Sequence, residues 1–310
     1  LFLIKVLEDE VGRNGVMYMA DQSGTEEARS ESRAGEDGRV MPAARPAINM
    51  ADREPQPPFR FLIPIMLVLL IPLMHATALG DVLLRNNWLM LGLGGAIFSL
   101  FMFVSGIRLQ AGERSEALGM ASWSLLIAYL LHQFEEFGVD LYGNLNALPA
   151  YVNGQLAEQL SHTPIMLTEF SVYRINTLGI WVPFLLAIWA GHRFPWMGLA
   201  VAGLMLTNAA VHIGLAFMMR EYNPGLATAL LLFLPLSLRY FIVSNNKTDA
   251  GWGAALIGIA FGLATHAALP ALTVRLSEPA WTAEMVLLLA ALILSPVVGN
   301  LLYRLMARKA

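Results

Sequence analysis

Cysteine is absent from the 310-residue chain. That excludes disulfides, thiolate zinc sites, iron–sulfur clusters and cysteine nucleophiles together. Charge is scarce as well: charged residues make up 14% of the chain against 56% hydrophobic, and mean hydropathy is +0.57. A soluble domain carries roughly a quarter charged residues, so this chain lacks the polar side chains to cover a globule in water. The few charges are also unevenly spread. Eight of the twenty Lys and Arg lie at or before Arg60. No basic stripe follows, which removes nucleic acid from the list of partners.

What is present is a polar beginning and a long apolar remainder. Residues 1–58 hold a run rich in Ser, Gly, Glu and Arg from Asp21 to Arg39, then a proline-rich stretch from Pro42 to Pro58. Such a segment buries too little apolar surface to offset the entropy of ordering, so a disordered tail is expected. Eight apolar stretches follow, near 59–79, 87–107, 116–137, 174–192, 196–219, 225–243, 251–273 and 282–303. Each is about long enough at 1.5 Å per residue to cross ~30 Å of hydrocarbon. The expected fold is therefore all-α: a polytopic transmembrane bundle of about eight helices over 59–310. The bilayer is its first partner.

Orientation follows from Lys and Arg in the connections. Ten fall at the ends shared with the N-terminus and four, Arg85, Arg174, Arg220 and Arg275, at the opposite ends. This distribution and the even helix count place both termini in the cytoplasm. A start at Met50 would make the first apolar run resemble a signal peptide ending in Ala76-Thr77-Ala78. Its spanning length favours an uncleaved helix.

Ionisable residues at membrane depth are costly and mark function. His132-Gln133-Phe134-Glu135-Glu136 closes the third stretch, and at 100° per residue His132, Glu135 and Glu136 share one helix face. An imidazole and a carboxylate one turn apart can ligate a metal or form an acid–base pair. Asn208 and His212 are likewise one turn apart in the fifth stretch, where interhelical glue and a functional role are evenly matched readings of the pair alone. Tyr222-Asn223-Pro224-Gly225 suits a tight turn, and taken alone it reads better as a mere hairpin; its functional use would be to aim Glu221 or Asn223 at the same place. Glu169, Asn176 and His266 are secondary candidates. His75 is better read as structural, and His162 and His192 lie too far away to take part. The candidates all fall in one half of the bilayer on a topology that was set by other residues.

The stretch from Leu125 to about Tyr240 resembles the HXXEE family of bacterial membrane proteins. His132-Gln133-Phe134-Glu135-Glu136, Thr207-Asn208-Ala209-Ala210-Val211-His212 and Tyr222-Asn223-Pro224-Gly225 carry the likeness, in a core of about 124–243. The resemblance implies a membrane protein with its active site at the motif; it supplies no substrate. The residues themselves suggest a metal-dependent hydrolase acting on a lipid or lipid-linked substrate. In that reading His132, Glu136 and His212 hold a divalent metal such as zinc. Glu135 is then the general base, and Asn208 or Asn223 polarises the substrate. The rivals are a metal-free His/Glu acid–base enzyme acting on lipid and a proton-coupled transporter. No internal repeat supports the transporter.

Overall fold

The computed structural model describes residues 59–107, 114–159, 167–191, 195–247, 251–275 and 301. The tail over 1–58 and the eighth expected stretch, 282–303, lie outside the described residues, apart from Leu301. So do His162 and His192.

Among the described residues the architecture is all-helical, with an isolated antiparallel bridge, Val139 to Leu145, in place of any sheet. We number the elements α1 (Phe59–His75), α2 (Ala78–Ile107), α3 (Arg114–Phe137) and α4 (Ala147–Tyr151). Then α5 starts with Glu169–Arg174 and runs through a π-helical stretch, Ile175–Trp181, into Val182–Ala190. After α6 (Pro195–Met219), α7 is built from Leu226–Thr228, a π-helical stretch Ala229–Phe233 and Leu234–Lys247. The last is α8 (Gly251–Arg275). Five of these, α3 and α5 to α8, are each long and apolar enough to cross a membrane. The short α4 interrupts the long connection after α3.

Among the described residues, which hold seven of the eight expected stretches, the spans number five, or six with the bent pair counted as one. The first two apolar stretches form a pair bent by 111°, and the run Gly80–Asn86, read from sequence as a connection, is helical. Tertiary partners explain it. Tyr173 hydrogen-bonds Asp81, and the Arg85 guanidinium lies 4.8 Å from the centre of the Phe170 ring. At the bend the Thr77 hydroxyl accepts from the Gly80 amide at 3.2 Å, capping α2 as Thr does at a helix start. A Cβ on Gly80 would stand 2.5 Å from the Met74 carbonyl oxygen, so the turn requires glycine. A bent pair counts as one broken span or as a re-entrant segment, so an even number of crossings no longer supports the placement of the termini.

Both π-helical stretches within spans end two residues before a proline, Pro183 and Pro235. Proline brings no N–H and displaces the carbonyl four residues earlier, here Gly179 and Leu231. Widening the preceding turn accommodates that loss.

Helix α3 is central, touching α2, α5, α6 and α7. Its Leu125, Ala128 and Tyr129 join Tyr173, Leu178, Phe184, Leu199, Met205, Phe233 and Tyr240 in one buried core. Helices α6 and α8 meet backbone to backbone. A Cβ on Gly203 would lie 1.9 Å from the Gly258 carbonyl oxygen, the close approach that small residues permit between membrane helices. Outward faces stay apolar: Leu69, Leu79, Phe101, Leu231 and Leu256 are all exposed. Hydrocarbon tails, not water, suit such a surface.

Candidate metal centre

Helix α3 delivers His132 and Glu136 from one face, since residues four apart lie one turn apart. Helix α6 delivers His212 from across the bundle. The three side chains are buried. Glu136 Oε1 lies 3.2 Å from His132 Nε2 and 3.3 Å from His212 Nε2. The two imidazole rings meet edge to face, 5.0 Å between centroids at 87°. One ligand atom from each residue falls within 4.8 Å of the others, and among the described residues this is the group that can hold a metal ion. Two ligands about 2.1 Å from a tetrahedral ion stand about 3.4 Å apart, which the contacts to Glu136 match. His132 Nε2 is buried without a hydrogen-bond partner despite facing Oε1, an orphan that a cation would satisfy.

The remaining nitrogens are tied down. His212 Nδ1 lies 2.6 Å from Asn223 Oδ1, while Asn223 Nδ2 donates to the His212 carbonyl at 2.9 Å. The second bond orients the amide, so its oxygen faces the ring and must accept from Nδ1–H. That puts the His212 lone pair on Nε2, toward Glu136. His132 Nδ1 lies 2.7 Å from Thr228 Oγ1. The turn 222–225 lies over the centre, with Gly225 at φ 95°. A Cβ there would meet His212 Cε1 at 2.7 Å, His132 Cε1 at 2.8 Å and Glu136 Cγ at 3.0 Å. Glycine is needed for its backbone angle and again for its lack of volume.

These positions decide the comparison with known proteins. Residues 123–240 match the family described as "Protein of unknown function with HXXEE motif". No curated protein and no solved structure matches the chain. Within the HXXEE segment lie all three members of the centre, the Asn223 amide and the Thr228 hydroxyl.

The other sequence candidates are distributed as follows. Glu135 points away from the trio: its Oε1 accepts from the Tyr222 hydroxyl at 2.8 Å and the Ala227 amide at 3.1 Å. Its Oε2 accepts from the Thr228 amide at 2.8 Å and the Thr228 hydroxyl at 2.5 Å. Four donors occupy the acceptor sites that a general base needs free. Asn223 is spent on His212, and the Asn208 side-chain oxygen is buried without a hydrogen-bond partner. Asn176 belongs to a separate buried amide line. There Trp181 Nε1 donates to Gln133 Oε1 at 2.7 Å, and Gln133 Nε2 donates to Asn176 Oδ1 at 2.6 Å. Glu169 is exposed, with Arg85 3.8 Å away, and His266 bonds the Gly262 carbonyl of its own helix at 2.9 Å. Sequence reasoning missed Thr228 and used Gly225 only as a turn former. A hydroxyl three residues past an Asn-Pro-Gly turn, opening an apolar helix, was the available signal.

The turn after α3 supports the segment 222–225, the lid over the centre. Tyr222 accepts from the Leu141 amide at 3.2 Å, and its ring packs edge-on against Tyr142 at 4.8 Å. Burial first, and then its bond to Glu135, hold the Tyr222 hydroxyl protonated far above the usual phenol range. It therefore remains a donor to Glu135.

Proposed function

We propose that the protein is a membrane-embedded, metal-dependent enzyme that hydrolyses a lipid or lipid-linked substrate. One observation carries this reading: two imidazole nitrogens and one carboxylate oxygen, from α3 and α6, converge in a buried place where hydrophobic packing alone would bring apolar groups. His132 and His212 would hold the ion through Nε2 and Glu136 through Oε1. Two nitrogens and an oxygen suit zinc, and three protein ligands leave a position open, as in catalytic rather than structural sites. When bound, such an ion supplies Lewis acidity and a nucleophilic water at neutral pH. Asn223 fixes the His212 ring, and the lid at Gly225 shields the ligands from solvent. Tyr129 and Phe233 pack beside His132, so the surroundings favour a substrate with an apolar portion. Lipid is the substrate class that such a bundle meets in a membrane. The Lys and Arg distribution favours an orientation with the centre toward the outer face, and the resemblance to bacterial membrane proteins favours a bacterial inner membrane.

The contacts at 3.2 and 3.3 Å also suit the metal-free alternative, in which His–Glu–His shares a proton, either for acid–base catalysis or for transport. Metal analysis separates the two. Protein purified in detergent and offered zinc, manganese or iron should retain a stoichiometric ion. His132→Ala, Glu136→Gln and His212→Ala should each lose it while keeping their helical circular dichroism. Wild-type protein that retains none of these ions would overturn the metal reading and leave the proton-sharing one.

A further inference from the structure

The two glutamates of the motif face different ways, and the division has a chemical consequence. Glu136 turns to the two histidines. Glu135 turns to the segment 222–228, where every partner it has is a donor. The Thr228 hydroxyl owns one proton, and its two acceptor neighbours are Glu135 Oε2 at 2.5 Å and the Gly225 carbonyl at 3.2 Å. The Gly225 carbonyl can only accept, and donors already point at both Glu135 oxygens, two of them backbone amides, so Thr228 donates that way and has only lone pairs left for His132 Nδ1. The ring must therefore place its proton on Nδ1 and its lone pair on Nε2, toward Glu136. The assignment comes from the donor and acceptor inventory of each group.

We infer that Glu135 and Thr228 are positioning residues: the line Glu135–Thr228–His132 fixes the proton of His132 on Nδ1, while Glu135 latches the turn that seats Gly225 over the centre. The proposal rests on the metal reading for its purpose, since a lone pair on Nε2 is what ligation needs. It mirrors the other side, where Asn223 does the same for His212. Ligating histidines generally give their second N–H to an oxygen that sets tautomer and ring orientation; here a hydroxyl relays that demand from a carboxylate. The motif then needs both glutamates for separate reasons, one to contact the centre and one to prepare it.

The test uses Thr228→Val, which keeps the shape and removes the hydroxyl, and Thr228→Ser, which restores it. The full chain is labelled with 15N-histidine, purified zinc-free in detergent and observed by NMR in alkaline buffer, where neutral tautomers are compared. The His132 signals are identified by their loss in His132→Gln. Wild type and Thr228→Ser should carry the proton on Nδ1. In Thr228→Val the proton should move to Nε2, where Glu136 Oε1 waits at 3.2 Å. Zinc affinity by chelator competition should fall about 10–100-fold in Thr228→Val, with Thr228→Ser restoring it. A Thr228→Val protein that keeps its Nδ1 proton overturns the inference, whether or not affinity falls, because any loss would then be one of packing. Wild-type protein that binds no zinc but shows the proton shift sustains the inference and removes the metal reading instead.

Discussion

Replacing Gly225 by alanine adds one methyl group over the centre, and its cost can be divided with an internal control. Gly225 sits at φ 95° and Gly143 at φ 84°, so alanine at either pays for a left-handed backbone, about 1–2 kcal/mol. Their surroundings differ. Nothing lies within 4 Å of a Cβ at Gly143, whereas a Cβ at Gly225 meets both histidine rings and Glu136 between 2.7 and 3.0 Å. Overpacking of this kind costs about 1–3 kcal/mol. Gly143→Ala should therefore lose about 1–2 kcal/mol and Gly225→Ala about 2–5 kcal/mol. The rings and Glu136 cannot all retreat without parting the ligand atoms, so Gly225→Ala should also weaken zinc binding, and Gly143→Ala should leave it intact. Equilibrium unfolding in mixed detergent, followed by circular dichroism, gives the first quantity and chelator competition the second. If the two variants are equally stable and equally good at binding zinc, the turn does not press on the centre and the account of Gly225 is wrong.

Three further outcomes follow from other parts of the molecule. Trp181→Phe removes the donor to Gln133 Oε1 and strands a buried amide oxygen; unfolding should show a loss of about 1–3 kcal/mol with zinc affinity unchanged. Gly258→Val drives a side chain into the backbone of α6, where a Cβ already stands 2.4 Å from the Leu199 carbonyl oxygen. It should cost about 3 kcal/mol and weaken zinc binding through displaced His212, measured by the same two assays. Asp140 gives a pH signature. Burial would raise its carboxyl, but hydrogen bonds from the Asn144 side chain and the Asn144 and Tyr142 amides overcome that and hold it below its ordinary value. A depressed carboxylate contributes stability that is full above its unfolded pKa of about 3.9 and is lost as pH falls through the lower folded value. Amide exchange at Tyr142 and Asn144, corrected for intrinsic rates, should therefore accelerate only below about pH 4, and Asp140→Asn should remove that acid step.

How much of this could be read in the chain depends on the range of each interaction. Composition and run length alone establish an apolar helical protein, because hydropathy summed over about twenty residues needs no knowledge of neighbours. The pairing of His132 with Glu136 is legible for the same reason, as helical periodicity puts i and i+4 on one face. The break at Ala76-Thr77 was not legible. Gly80 to Asn86 looks like a loop until Tyr173 and Phe170 are found beside Asp81 and Arg85. Nor was the task of Glu135, since sequence spacing puts both glutamates on the histidine's face and cannot say that one turns 87 residues away to Tyr222. Thr228 carried only the signal of its place three residues past the Asn-Pro-Gly turn: a hydroxyl at a helix start is ordinary, and it gains meaning only from His132 Nδ1, 96 residues earlier in the chain. Local periodicity thus determined which side chains α3 presents together. The partners of each one, and with them the side on which His132 carries its proton, were decided by how α3, α6 and the turn before α7 pack, because a hydrogen bond is set by distances between elements that no local period encodes.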